Sequence, residues 1–328
     1  MKYKILLSLI FLSSFTIAQQ KKSTAYAITS EKQGQFIWTE VKLIDLSTGE
    51  VIQHVYENSK IPAQAFRARD GKPIHIKDEK GAVKDQQKLP FSTFSAACAF
   101  DRKHNRLYFT PMYVNELRYI DLGSKQPKLF YYEGESFSKA AVPTDEANHI
   151  TRMTIGADGN GYALSNDGNH FIRFTTDKKA NSADLGPLRD DPSNEKISVH
   201  NRCTSWGGDM VAAADGSLYL VSASKSVFRI DVSNRMAKYI GGIDGLPANF
   251  TSNGTAVGSN GKLIVSSANS VDGYYEVDMS SWKANKIDNK GNVFNTSDLA
   301  NGNLAFQNET KAESIPLVTR PYSAGRAT

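Results

Sequence analysis

The sequence has little of several features that would narrow its function at once. It contains two cysteines in 328 residues, which is too few for a disulfide framework. Its net charge is only +5, and no basic tract accompanies that charge, which argues against a nucleic-acid binder. No HExxH, GxSxG, Walker-loop, CxxC or EF-hand string occurs. The usual motifs therefore assign no catalytic activity.

Long apolar runs are also missing, apart from one at the start of the chain. Residues 1–18 combine two lysines, an apolar stretch from Ile5 to Phe15 and a small residue at Ala18. This order is typical of a secretory signal peptide, and the stretch is too short to span a bilayer. We expect an exported protein, periplasmic or secreted, with no transmembrane segment and a net charge of +3 after cleavage.

Export would place Cys98 and Cys203 in an oxidising compartment, where disulfides persist. A single pair in so large a chain is not a structural framework. We expect two separate thiols, with one disulfide as the alternative.

Two sequence units recur along the chain. The first is a polar turn followed by a short β-run, as in DRKHNRLYFT, ADGNGYALS, ADGSLYLVS, SNGKLIVSS and ANGNLAFQ. The second is a β-run ending in a short polar residue, as in KLIDL, RYIDL, IRFTT, FRIDV and YEVDM. The Asp-Gly and Asn-Gly pairs supply the positive φ that tight hairpins need. Because the two units keep a constant phase, each repeat is predicted to be one antiparallel sheet.

The repeats predict an all-β fold, a β-propeller of four-stranded antiparallel blades. Strict pairing of the two units gives five blades, but AYAIT at residues 25–29 would make six if it began its own blade, and we favour six. The last hairpin lacks a following strand and the first blade lacks a leading one. C-terminal strands are therefore expected to join the N-terminal blade and close the ring.

The repeats also predict the domain limits. A signal peptide at 1–18 would precede one propeller domain at 19–310, and a polar tail would follow at 311–328. Residues 58–92 interrupt the repeat as an inserted loop with a possible hairpin at RDGKPIHI.

The strings ADGNGYALS and GGDMVAAADGSLYLVSASKSVFRIDV resemble the blades of NHL-like bacterial propellers, whose relatives include gluconolactonase-like hydrolases and TolB-like periplasmic modules. The resemblance covers about residues 95–307 and implies the fold, because propellers host many functions. Gluconolactonase-like enzymes hold a divalent metal in the channel with an early Glu-Gly-Pro motif, which this sequence lacks. A secreted propeller without an enzyme motif also resembles accessory subunits of Bacteroidota outer-membrane machines.

Propeller geometry selects candidate site residues better than motifs do. The first strand of each blade lines the central channel, and seven positions before the turn anchors lie Cys98, Arg152, Asp209, Gly254 and Asn295. The richest entrance loop is HNRCTSWGGD, residues 200–209. Polar groups that converge on a channel entrance can form a ligand or partner site. The candidate residues are therefore His149, Arg152, His200, Asn201, Arg202, Trp206 and Asp209, although Arg152 and Asp209 could instead pair and Trp206 could pack between blades.

The sequence favours a non-enzymatic binding module that docks a protein or polymer in the cell envelope, without a cofactor and without nucleic acid. It could belong to an outer-membrane secretion or uptake complex. The alternative is a metal-dependent hydrolase or lyase with one divalent ion, such as Ca²⁺, in the channel. The Asp-Gly-Asn strings could suggest calcium, but the same residues serve hairpin turns in every repeat.

Overall fold

The computed structural model describes residues 23–142, 144–177, 181–290 and 293–307. The signal peptide predicted at 1–18 and the tail predicted at 311–328 lie outside these residues. The regular structure of these residues consists mainly of short strands, which pair into five sheets that are antiparallel apart from two parallel pairs at outer edges.

Each sheet is one propeller blade, numbered here in the order in which the chain forms them. The first blade contains β1 (Thr24–Thr29), β2 (Glu40–Asp45), β3 (Val51–Tyr56) and, as its inner strand, β23 (Thr296–Ala300). The second contains β4 (Gln64–Arg67), β5 (Pro73–His75), β6 (Ser95–Asp101), β7 (Arg106–Pro111), β8 (Arg118–Asp121) and β9 (Lys128–Tyr131). The third contains β10 (Ile150–Ile155), β11 (Gly161–Ser165), β12 (Phe171–Phe174) and β13 (Ser182–Asp184).

The last two blades follow the same plan. The fourth contains β14 (Arg189–Asp190), β15 (Asp209–Ala212), β16 (Leu218–Val221), β17 (Ser226–Asp231) and β18 (Met236–Gly242). The fifth contains β19 (Gly254–Val257), β20 (Leu263–Ser266), β21 (Tyr275–Asp278) and β22 (Lys283–Lys286). One helical turn, α1 (Arg202–Ser205), precedes β15, and 3-10 turns lie at Asn58–Lys60, Gln86–Lys88, Glu146–Asn148 and Pro192–Asn194.

The propeller has five blades, so the preference for six was wrong. AYAIT lies within β1, which pairs with β2 on one side and with β23 on the other. Both edges of this strand are therefore used inside the first blade, and it cannot begin a separate one. The first blade lacks a leading hairpin because its inner strand comes from the far end of the chain.

Five inner strands, β23, β6, β10, β15 and β19, surround the axis, and each contacts the inner strands of its two neighbours. The loops that lead into them lie on one face, here called the mouth face. The hairpins that follow the inner strands lie on the opposite face, here called the turn face. This placement follows from the antiparallel order within every blade.

Apolar side chains fill the spaces between blades. They form five clusters, one at each interface between neighbouring blades. In β16, for example, Leu218 and Leu220 pack towards the third blade, while Tyr219 and Val221 pack towards the fifth. Since both faces of a blade are buried near the axis, strands such as β16 (Leu218–Val221) are continuous apolar runs, whereas outer strands such as β22 (Lys283–Lys286) are largely polar.

The inserted segment extends the second blade at its outer edge. β4 and β5 form the hairpin expected at RDGKPIHI, and β4 then pairs in parallel with β9. Ion pairs join this hairpin to the loop after β9, from Arg67 to Glu133 and from Arg69 to Glu135. The insertion therefore covers an edge that would otherwise be unpaired.

Residues 301–307 do not form the hairpin expected at ANGNLAFQ. After β23 the backbone crosses the turn face, and Ala305 forms a parallel bridge with Ala213 of the fourth blade. Asn301 and Asn303 each donate to the carbonyl of Val257 in the fifth blade. One strand, β23, rather than a pair, closes the ring, and residues 301–307 follow it across the turn face.

Ring closure can be tested with two truncated chains. A chain ending at Lys290 loses β23 and leaves β1 with an unpaired edge, so we expect it to melt well below a chain ending at Gln307. Differential scanning calorimetry measures both. Equal melting temperatures would contradict closure by β23.

Candidate functional site

The channel positions chosen from sequence fall on the inner strands in four of five blades. Cys98, Arg152, Asp209 and Gly254 lie in β6, β10, β15 and β19, and each is buried. Asn295 instead precedes β23. The buried ionisable residue of that inner strand is Asp298, which counting back from Gly302 missed because no hairpin follows β23.

Asp209 and Asp298 each connect their inner strand to the next blade. Asp209 Oδ2 accepts from the backbone N–H of Thr255 at 2.6 Å. Asp298 Oδ2 accepts from the backbone N–H of Cys98 at 2.7 Å. Both carboxyls are fully buried, so in this part of the structure the channel carboxyls serve as bridges between blades.

The inner strands also enclose a small cavity next to the positions of these carboxyls in sequence. The cavity between the inner strands, lined by Ala99, Met153, Met210, Thr255 and Leu299 among others, measures about 10 Å³.

Burial raises the pKa of the Cys98 thiol, and the Asp298 carboxyl adds to the effect. Cys98 and Cys203 are separate free thiols, the first buried and the second exposed.

Arg152 is fully buried and holds the entrance segment against the third blade. Its guanidinium donates to the carbonyls of Ser205, at 2.9 Å, and Ser165. Burial lowers its pKa to about 9, opposed by Asp167 and Asp209, so it remains cationic at neutral pH. No ion pair joins Arg152 to Asp209 among the described residues. Arg152 therefore lies beside residues 200–209, as expected, but all its visible partners are backbone carbonyls.

The entrance segment itself is held by internal hydrogen bonds. His200 places Nδ1 2.6 Å from the Asp167 carbonyl oxygen and Nε2 3.2 Å from that of Leu188. The Asn201 side chain caps α1 by accepting from the N–H groups of Cys203 and Thr204. These side chains shape the mouth face and leave few polar groups to receive a ligand.

Arg202 and Trp206 form a stacked pair at the surface of the segment, where Arg202 is exposed. Trp206 is half-buried and donates through Nε1 to the carbonyl of His200. The Arg202 guanidinium stacks on the Trp206 ring at 5.2 Å from its centroid and pairs with Glu146 at 2.7 Å.

Gly208 turns the chain into β15 with a φ of 87°, and a Cβ at this position would lie 1.9 Å from the Val221 carbonyl oxygen. Only glycine fits that close approach.

His149 lies beneath an exposed aromatic side chain. It is buried, and the Tyr113 ring meets it edge-on with centroids 4.5 Å apart. Burial lowers the pKa of His149, which favours the neutral imidazole. Among the described residues, Nε2 of this ring has no hydrogen-bond partner.

Exposed apolar side chains concentrate on the mouth face, which sequence reasoning did not foresee. Of eight large apolar residues exposed in the described chain, six lie in mouth-face loops, and they retain 37–59% of their surface: Phe36, Ile37, Phe94, Tyr113, Val142 and Val271. The other two, Ile52 and Ile240, lie on the outer strands β3 and β18. We call the five from the first three blades (Phe36, Ile37, Phe94, Tyr113 and Val142) the apolar arc.

Hydrogen bonds connect successive loops along the apolar arc. The Ser95 N–H donates to the Trp38 carbonyl, joining the first and second blades. The Tyr113 N–H donates to the Thr93 hydroxyl at 3.1 Å. These bonds join the loops that carry Phe36, Ile37, Phe94 and Tyr113 across the first and second blades.

The turn face carries a groove of about 710 Å³ between the fifth and first blades. Tyr26, Phe100 and Arg102 line it, and it adjoins both ends of the described core at Ser23 and Gln307. Among the described residues, no group of three or more His, Cys, Asp or Glu side chains is placed to hold a metal ion. Nor does any described helix have the length and hydropathy to cross a bilayer.

Comparisons with known proteins assign neither a family nor a function to this chain. No protein-family model and no curated protein matches the sequence. The chain is similar to a solved Lactobacillus plantarum protein at 11% identity and TM-score 0.47, covering 85% of this chain and 98% of that one. It is similar to a streptogramin B lyase at 14% identity and TM-score 0.42, over 82% and 84% of the two chains. It also resembles a putative gluconolactonase at 11% identity and TM-score 0.41, over 84% of each. The chain is a β-propeller by its own strand pairing.

The different roles of Arg152 and Arg202 can be measured. Arg152→Met leaves buried carbonyls without donors, so we expect a loss of about 2–4 kcal/mol in the free energy of unfolding. Arg202→Met removes an exposed ion pair and should cost less than about 1 kcal/mol. Urea unfolding compares them, and equal losses would contradict this assignment.

Proposed function

We propose that this protein is a non-enzymatic binding module that docks a protein partner through its mouth face. The observation that carries the proposal is the concentration of exposed apolar side chains there. Contiguous apolar surface on a folded domain is typical of interaction sites, because its exposure to water is unfavourable without a partner. Ile52 and Ile240, on outer strands, are single exposed residues of the kind that ordinary surfaces carry.

The loops beneath the apolar arc are fixed before any partner arrives. Asn295 accepts from the Gly34 N–H at 3.0 Å and donates to the carbonyls of Gln35 and Ala268. These bonds tie the loop that presents Phe36 and Ile37 to the fifth blade. A preorganised loop loses little conformational entropy on binding, which favours affinity.

Phe94 adds an independent observation at the centre of the apolar arc. Its φ is 70, a left-handed conformation that costs a bulky residue about 1–2 kcal/mol. Its N–H and carbonyl are both bonded, to the Phe91 carbonyl and the Met112 N–H. Backbone strain of this kind is common at functional sites, and here it occurs at a residue with an exposed aromatic ring.

A protein partner fits this surface better than a polymer does. A glycan is recognised by free donors and acceptors that converge on its hydroxyls. The polar groups of the entrance segment are instead bonded within the protein, as the contacts of His200, Asn201 and Arg202 illustrate. Binding energy must then come mainly from apolar burial, which aromatic and aliphatic side chains of another protein provide.

The enzymatic alternative receives less support from the channel. A metal-dependent hydrolase would need three or four accessible channel ligands with at least one Glu. The described channel offers Asp209 and Asp298, both fully buried and bonded to neighbouring strands. We therefore place the function on the mouth face.

The proposed location is the cell envelope, reached by export through the predicted signal peptide. We further propose that the partner belongs to the envelope, as in an outer-membrane secretion or uptake complex. The small positive charge of the predicted mature chain gives no basis for binding nucleic acid.

Docking can be tested by site-specific photocrosslinking in intact cells of the native host. A photoreactive phenylalanine at position 113 should crosslink to one dominant protein, whereas the same group at position 240 should not. Phe36→Ser combined with Val142→Ser should abolish the crosslink, since apolar contact is lost. The matched control Ile52→Ser combined with Ile240→Ser should leave it unchanged.

The same experiment distinguishes the alternatives. Equal crosslinking from positions 113 and 240 would contradict docking through the mouth face. Crosslinks to glycan alone would contradict a protein partner.

Export has its own test. Mass spectrometry of the protein from fractionated cells should find an N-terminus at Gln19 in the periplasmic or extracellular fraction. An intact Met1 in the cytoplasm would contradict the proposed location.

A further inference from the structure

The buried carboxyls of Asp209 and Asp298 lie close together in the channel, although they belong to different inner strands. Asp209 belongs to the fourth blade and Asp298 to the first, and the fifth blade lies between them in the ring. Their carboxyl groups are nevertheless within hydrogen-bonding reach of each other. Such a contact between non-neighbouring blades spans the channel.

Two ionised carboxylates cannot make this contact, because both are acceptors only. Asp209 uses its oxygens to accept from the N–H groups of Met210 and Thr255. With both groups ionised, no N–H or O–H group of the described residues donates a hydrogen bond to Asp298 Oδ1. A proton on one carboxyl supplies the missing donor and removes the repulsion between like charges.

The other charged or titratable groups around the pair do not replace that proton. The inner strand β6 contributes Cys98, and β10 contributes Arg152, whose guanidinium is bonded to the carbonyls of Ser165 and Ser205. The inner strand β19 contributes no titratable side chain, since it reads Gly-Thr-Ala-Val. We propose that Asp209 and Asp298 share one proton and form a carboxylic acid–carboxylate bridge that joins the first and fourth blades.

The electrostatics of the site support the shared proton. Burial raises the pKa of Asp209 to about 7. Burial and the neighbouring Asp209 carboxyl raise that of Asp298 well above its ordinary value. In the unfolded chain both groups lose their protons near pH 4. The folded state therefore holds a proton that the unfolded state has released, over a window from about pH 4 to at least about pH 7.

The bridge should make folding depend on pH with a defined sign. Because the native state binds more protons in this window, stability falls as pH rises. For each proton retained, the folding equilibrium constant decreases by up to about tenfold per pH unit. Stability from this source is complete below about pH 4 and is lost as pH rises through the folded-state pKa values. A carboxylate paired with a cation would have the opposite dependence.

Asp298→Asn tests the proposal directly, because its amide can donate to Asp209 permanently. We expect urea unfolding of the native chain to show a midpoint that falls from about pH 5 to about pH 8, and we expect a smaller fall in Asp298→Asn. The exposed control Asp288→Asn should retain the native dependence. At about pH 8, Asp298→Asn should be at least as stable as the native protein, while Asp298→Ala should be less stable at every pH.

Infrared spectroscopy gives a second readout that does not depend on folding energies. The native protein at neutral pH should show the C=O stretch of a buried carboxylic acid, and Asp298→Asn should lack it. Native spectra without that band, or a pH dependence unchanged in Asp298→Asn, would overturn the shared proton. Stoichiometric metal in the purified protein, with stability lost on chelation, would overturn it in favour of a bound cation.

Discussion

The blades are held together at the axis by hydrogen bonds from a side chain of one inner strand to the backbone of the next. Asp209 bonds the N–H of Thr255, and Asp298 bonds that of Cys98. In addition, the Ser297 hydroxyl donates to the carbonyl of Ser95 at 2.8 Å. These bonds are buried, so breaking one leaves a polar backbone group without a partner at a cost of about 1–3 kcal/mol. These bonds therefore fix the inner strands of the fourth and fifth blades, and of the first and second blades, to each other.

A fixed ring has consequences for where function can reside. In the described part of the chain, the cavity between the inner strands is only about 10 Å³, and residues 301–307 cross its turn-face end. The mouth face, in contrast, rests on loops tied to one another by side-chain amides such as Asn295 and Asn166, and it exposes apolar rings to water. A rigid scaffold with a preorganised apolar surface suits recognition of another protein better than it suits chemistry in the channel.

The repeat pattern predicted the propeller, because turn and strand signals recur in phase and reflect local backbone chemistry. The blade number was harder, since AYAIT looks the same whether it begins a blade or fills the second place in one. Only the pairing of β1 with β23 decides this, and that contact joins opposite ends of the chain. The same closure hid Asp298, although Asp-Leu-Ala in β23 resembles Asp-Met-Val-Ala in β15.

The candidate site was predicted less well than the fold. Residue type and phase placed Arg152 and residues 200–209 together at the mouth face. They did not show that the side chains of His200 and Asn201 would be hydrogen-bonded to backbone groups. The partners of His200 are distant in sequence, and those of Asn201 depend on the formation of a single helical turn. Exposure of Phe36, Phe94 and Tyr113 depends on loop conformation, which has no periodic signal in the sequence.

Native-state hydrogen exchange of the inner strands most directly tests whether the channel hydrogen bonds hold the ring. The amides of Cys98, Met210 and Thr255 donate to channel carboxyls. The account predicts that they exchange only through global unfolding, with the same free energy as the slowest amides of the protein. Exchange of these amides at a clearly lower free energy than global unfolding would contradict it.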